Sequence, residues 1–83
     1  MRKYLLEFIL HGQDISAKII NNSLREFGEG LEVSEVPPTD ISGKGKDFCV
    51  RLSTIEPEII FDTCAQLGRL SAIKIGESEV QNG

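Results

Sequence analysis

The stretch that decides the fold is KYLLEFILHGQDISAKIINNSLREF, residues 3–27. Its first eight residues read as a strand, residues 3–10. Tyr4, Leu6, Phe8 and Leu10 share one face of an extended chain, and Leu5, Glu7 and Ile9 share the other. A strand apolar on one face and mostly apolar on the other belongs at the centre of a sheet. His11-Gly12-Gln13-Asp14 then reads as a turn. Gly12 supplies backbone freedom where the chain reverses, and the Asp14 carboxylate is placed to cap the helix that follows. That helix is predicted over about Ile15 to Phe27. Ile15, Ile19, Ile20, Leu24 and Phe27 form its apolar stripe, with Lys18, Asn21, Asn22, Arg25 and Glu26 on the other side. Gly28 and Gly30 stop it.

Downstream, the chain adds layers to this unit. Residues 31–36 alternate as a half-buried strand with Leu31 and Val33 inward, ended by Pro37-Pro38, which cannot extend a ladder. Thr39 to Lys46 is a polar connection whose Ser42-Gly43-Lys44-Gly45-Lys46 end is the one locally basic segment and reads as a hairpin tip. It lacks the spacing of a phosphate-binding loop. Residues 47–53 give a strand with Phe48, Val50 and Leu52 inward and Cys49, Arg51 and Ser53 outward. A second helix is predicted from Pro57, suited to a first helical position, to Leu67. Its apolar stripe is Ile60, Cys64 and Leu67, widened by Phe61 and Ala65, and Gly68 closes it. The last strand lies near residues 71–75 with Ile73 and Ile75 inward. Residues 1–76 form one domain, and 77–83 are expected to be a disordered tail.

Composition bounds the function. The chain has 83 residues, a net charge of -4, 40% apolar residues and 27% charged ones, an ordinary globular balance for one small domain. An acidic surface repels phosphate backbones, which argues against nucleic-acid binding. No apolar run approaches the ~20 residues of a membrane span. Met1–Leu10 carries two cations and then apolar residues, but Glu7 interrupts the run and no small-residue cleavage site follows, so a cytoplasmic protein is expected. Cys49 and Cys64 lack metal or redox spacing and read as small buried hydrophobes kept reduced. With one histidine and no cysteine pair, neither a metal nor another cofactor is expected.

The order strand, helix, strand, strand, helix, strand packs most simply as an α+β ferredoxin-like βαββαβ sandwich: a four-stranded antiparallel sheet with both helices on one face. Strands one and three are then central and strands two and four are edges. The second face of the first strand, with Leu5 and Ile9, needs cover, and together with Cys49 it is the expected interface between subunits of a homo-oligomer.

From Lys3 to Ile75 the chain resembles the ACT domain, a small regulatory module. The resemblance is carried by the turn His11-Gly12-Gln13-Asp14 after the first strand, the helix leading to the alternating strand Leu31 to Val36, and Leu67-Gly68-Arg69-Leu70 before the last strand. Here His11 precedes Gly12 and the acid follows it. The resemblance implies a non-enzymatic regulatory domain that binds a small metabolite, such as an amino acid, at a dimer interface, with Gly12, Gln13, Asp14 and Ile15 lining the site. Backbone N–H groups at the helix start would hold a carboxylate, Asp14 an ammonium, and His11 either group according to its protonation. The alternative is a structural or interaction subunit that covers its open face with another copy or a partner enzyme and needs no ligand. Catalysis is not expected. There is no Ser-His-Asp pattern, and acylphosphatases of this fold need a first-loop arginine that is absent here, while Asn21 and Asn22 fall within the helix. The first loop also lacks the CxxC of metal chaperones. Tyr4, Phe8 and Phe48 face the core, unlike the exposed aromatics of RNA-binding sheets.

Overall fold

The computed structural model describes residues 2–37 and 45–79. In chain order the elements are β1 (Arg2–Gly12), α1 (Ala17–Leu24), β2 (Glu29–Val36), β3 (Lys46–Thr54), α2 (Pro57–Leu67) and β4 (Arg69–Glu79). The strands form one sheet in the order β2-β3-β1-β4, and each neighbouring pair is antiparallel. The most apolar strands, β1 and β3, are therefore central. This is the ferredoxin-like α+β arrangement expected from the pattern.

The core follows from strand periodicity. Leu6, Phe8 and Leu10 of β1 and Phe48, Val50 and Leu52 of β3 point to one face and are buried there by Ile20 and Leu24 of α1 and Ile60 and Cys64 of α2. Phe61 meets Phe8 edge to face, with ring centroids 5.9 Å apart, a favoured aromatic geometry. Burial pushes the Cys64 thiol up to about 11, because the thiolate is poorly solvated there. Thr54 Oγ1 donates to the Phe27 carbonyl (2.7 Å) and accepts from Glu56 N–H (3.0 Å), so one hydroxyl ties the end of α1 to the entry of α2.

Several boundaries differ from the sequence reading, each for a local reason. β1 runs on to Gly12 instead of turning at His11, because His11 and Gly12 pair with Asp47 and Lys46 of β3. The helix starts at Ala17, two residues after the expected Ile15, and Ser16 is its cap, not Asp14. The Ser16 hydroxyl accepts from Ile19 N–H at 3.3 Å, while Asp14 is exposed. α1 ends at Leu24 and leaves Phe27, beyond it, 41% exposed; Ile19, inside the helix, is also 41% exposed, so only Ile20 and Leu24 of the expected stripe are fully buried. On α2, which has the expected bounds, Ala65 faces solvent rather than the core. Cys49 is half-buried on the outer face of the sheet, unlike the fully buried Cys64. Both are free thiols.

β4 departs furthest. It starts at Arg69 and continues to Glu79, opposite Arg2, rather than ending at 75. Its register against β1 shifts between Glu7 and Ile9, and Ala72 there has φ 51°, the mark of a bulge. Ile73 and Ile75, expected inward, are 48% and 56% exposed. β4 is an edge strand, so its inward side chains have a strand on one side only, whereas Leu6 of the central β1, opposite Ile75, is 2% exposed. Gly30 (φ 63°) sits at a second register shift, between β2 and β3, where a left-handed residue is needed. The basic Ser42-Gly43-Lys44 segment and residues 80–83 of the expected tail lie outside the described residues.

Candidate functional site

The turn residues do not converge on one site. His11 lies within β1 on the sheet face away from the helices, where its Nδ1 pairs with Asp47 Oδ1. The pair is largely shielded, with 21% of the His11 side chain and 7% of that of Asp47 exposed. Gly45 packs on the imidazole ring, and a Cβ there would stand 3.0 Å from the ring. Gly12 is buried, and its missing side chain leaves space taken by Ile15. Ile15 packs on the core, and Gln13 and Asp14 point to solvent. At the start of α1, the Ser16 hydroxyl already occupies the Ile19 N–H. The five residues thus split between the core, the outer sheet face and solvent.

The sheet face opposite the helices is where polar and apolar groups meet. Strand registry arranges its side chains in rows across the order β2-β3-β1-β4. One row is Val36, Asp47, His11, Arg69. The next is Ser34, Cys49, Ile9, Ser71, and the third is Glu32, Arg51, Glu7, Lys74. Below it, Ser53, Leu5 and Gly76 are neighbours. The three residues expected at an interface, Leu5, Ile9 and Cys49, all stand on this face, with Ile9 directly opposite Cys49 and Leu5 50% exposed.

The third row alternates in charge. Arg51 Nε lies 3.2 Å from Glu7 Oε2, Arg51 Nη1 4.0 Å from Glu32 Oε2, and Lys74 Nζ 3.7 Å from Glu7 Oε1. All four side chains are substantially exposed, so each pair contributes at most about 1 kcal/mol and opens readily. Around the row lies a shallow concavity of about 380 Å3, bordered by Leu5, Glu7, Glu32, Arg51, Ser53 and Lys74. Sequence reading placed Glu7 and Arg51 on outward faces but did not bring the four charges together. The available signal was the phase of each strand; what was missing was the register between strands.

A second notch, of about 260 Å3, lies at the far end of the sheet between Lys3, Phe27, Glu29, Thr54 and Ile55. Lys3 Nζ meets Glu29 Oε2 at 2.6 Å and holds that carboxyl below its ordinary range by hydrogen bonding and charge attraction. Among the described residues no three metal-capable side chains come together, and no helix is long and apolar enough to cross a membrane. The chain matches no protein-family model, and neither a curated protein nor a solved structure shows significant similarity to it.

Proposed function

We propose that this chain is a non-catalytic binding module that regulates or assembles a protein partner, in the manner of an ACT-like domain, through the uncovered face of its sheet. The observation that supports this reading is the composition of that face. Leu5, Ile9 and Cys49 flank an alternating row of charges on a surface that neither helix covers. On mixed apolar and charged surfaces of this kind the apolar groups supply burial against a protein partner and the charges fix its register. The test is sedimentation of a Leu5→Lys, Ile9→Lys double variant. Loss of association with circular dichroism unchanged is expected; association equal to that of the parent protein contradicts the reading.

A second reading, a small effector such as an amino acid, draws on the concavity rather than on the turn. Two cations and two carboxylates around Leu5 match the two charges and the side chain of a zwitterion. A thermal-shift series with the amino acids tests it. A ligand-specific rise in melting temperature that disappears in Arg51→Ala is expected under this reading, and indifference to every amino acid removes it.

A further inference from the structure

We infer that the open sheet face is covered by a second copy of this chain, seated face to face about a two-fold axis that runs parallel to the strands between β1 and β3. The inference rests on the proposed reading of this face as the working surface, and it names the occupant.

The order of charges on the face favours this occupant. Across the sheet the central row reads Glu32, Arg51, Glu7, Lys74, alternately negative and positive. A row of four alternating charges, reversed and laid on itself, places every charge opposite its complement. Under the proposed axis Arg51 of one copy faces Glu7 of the other, and Glu32 faces Lys74, each contact occurring twice. The same operation sets Asp47 opposite His11 and Cys49 opposite Ile9, and brings Ser53 opposite Leu5. An axis running across the strands would instead set like charge on like charge. With the axis along the strands, the two sheets stack with their strands nearly aligned, which is how twisted sheets pack face to face.

The size is adequate. Four strands about 4.8 Å apart and about 30 Å long offer roughly 600 Å2 of face per copy, which places the pair at the lower end of specific interfaces. The sheet edges are poorer candidates. β4 is interrupted by its bulge at Ala72 and carries Lys74, and β2 is followed by Pro37, all features that blunt edge-to-edge pairing.

The experiment is sedimentation equilibrium of four proteins, each checked for folding by circular dichroism: the parent, Arg51→Glu, the exchange Glu7→Arg with Arg51→Glu, and Arg2→Glu as a charge reversal outside the face. The parent is expected to be a dimer. Arg51→Glu sets Glu against Glu twice across the axis, and it should raise the dissociation constant by at least about 100-fold. The exchange keeps each charge opposite its complement between copies but sets like charges side by side within a copy, at positions 32 and 51 and at positions 7 and 74. It should therefore associate more tightly than Arg51→Glu alone and less tightly than the parent; an exchange no tighter than Arg51→Glu counts against the two-fold. Arg2→Glu should leave it intact. A monomeric parent at millimolar concentration overturns the inference, as does a dimer indifferent to Arg51→Glu. In the second case the Leu5→Lys, Ile9→Lys variant separates the levels. If it dissociates the dimer, the face is correct and the two-fold arrangement is wrong; if it does not, the proposed working surface falls as well.

Discussion

At the residue scale, two kinds of small residue behave differently here. Gly68 has extended backbone, but a Cβ on it would lie 2.1 Å from the His11 carbonyl oxygen, so the close crossing of α2's end over β1 excludes any side chain. Gly68→Ala should cost about 2–3 kcal/mol in chemical denaturation, whereas Gly76→Ala, whose nearest neighbour would be Leu5 Cβ at 3.9 Å, should stay within about 0.5 kcal/mol. Equal effects would contradict this placement of His11 and Gly68. Cys64 gives a pH signature. In the unfolded chain its thiol ionises near the ordinary 9.0, but in the folded chain only near about 11. The neutral thiol therefore favours folding fully below pH 9, and that contribution is lost as the pH rises from 9.0 towards about 11. Stability of the parent should fall more steeply across this window than that of Cys64→Ala. Parallel curves would mean that Cys64 is not buried. The residue types at both positions were legible in the sequence as helix stop and core thiol. The His11–Asp47 pair was not, because 36 positions separate its members and only strand registry joins them.

At the element scale, periodicity carried the phases of the strands and the bounds of α2 but misplaced both ends of α1 and of β4. β1 and β3 show the inward residues that the alternation demands, since a period of two leaves only two phases. The start of α1 was harder, because Asp14 and Ser16 both have side chains able to cap. Only the backbone decides between them, and Ser16 takes the extended conformation immediately before the helix. Ser16→Ala should therefore lower stability by about 1 kcal/mol, and Asp14→Ala should change it by less than about 0.5 kcal/mol, both read from denaturation midpoints. The opposite ranking would restore the longer helix. In β4 the alternation Ile73, Lys74, Ile75 indicated the phase correctly. Ile75 sits opposite Leu6 of the core face, which is 2% exposed, yet Ile75 itself is 56% exposed, because β4 is the edge strand of the sheet. Phase is a local property; cover depends on the place of the strand in the sheet.

At the scale of the whole molecule, one layer of helices covers one side of a four-stranded sheet, and the other side carries both the apolar residues singled out from the sequence and a charge row that no single strand reveals. The strand order was readable from the succession of elements. The candidate site was readable only in its apolar half, Leu5, Ile9 and Cys49, since Glu32, Arg51, Glu7 and Lys74 come from four different strands. Ion pairing across the proposed two-fold is screened by salt, so raising ionic strength should weaken the dimer measurably in sedimentation; an association that strengthens with salt would point to an apolar contact elsewhere. The central claim, that a second copy covers the sheet face, is tested most directly by methyl NMR with a soluble paramagnetic agent at millimolar protein. The Leu5 methyls should be shielded from the agent and become accessible on dilution, while Ile73 and Ile75 stay accessible throughout. Leu5 methyls open to the agent at every concentration, or Ile73 and Ile75 shielded in their place, would contradict it.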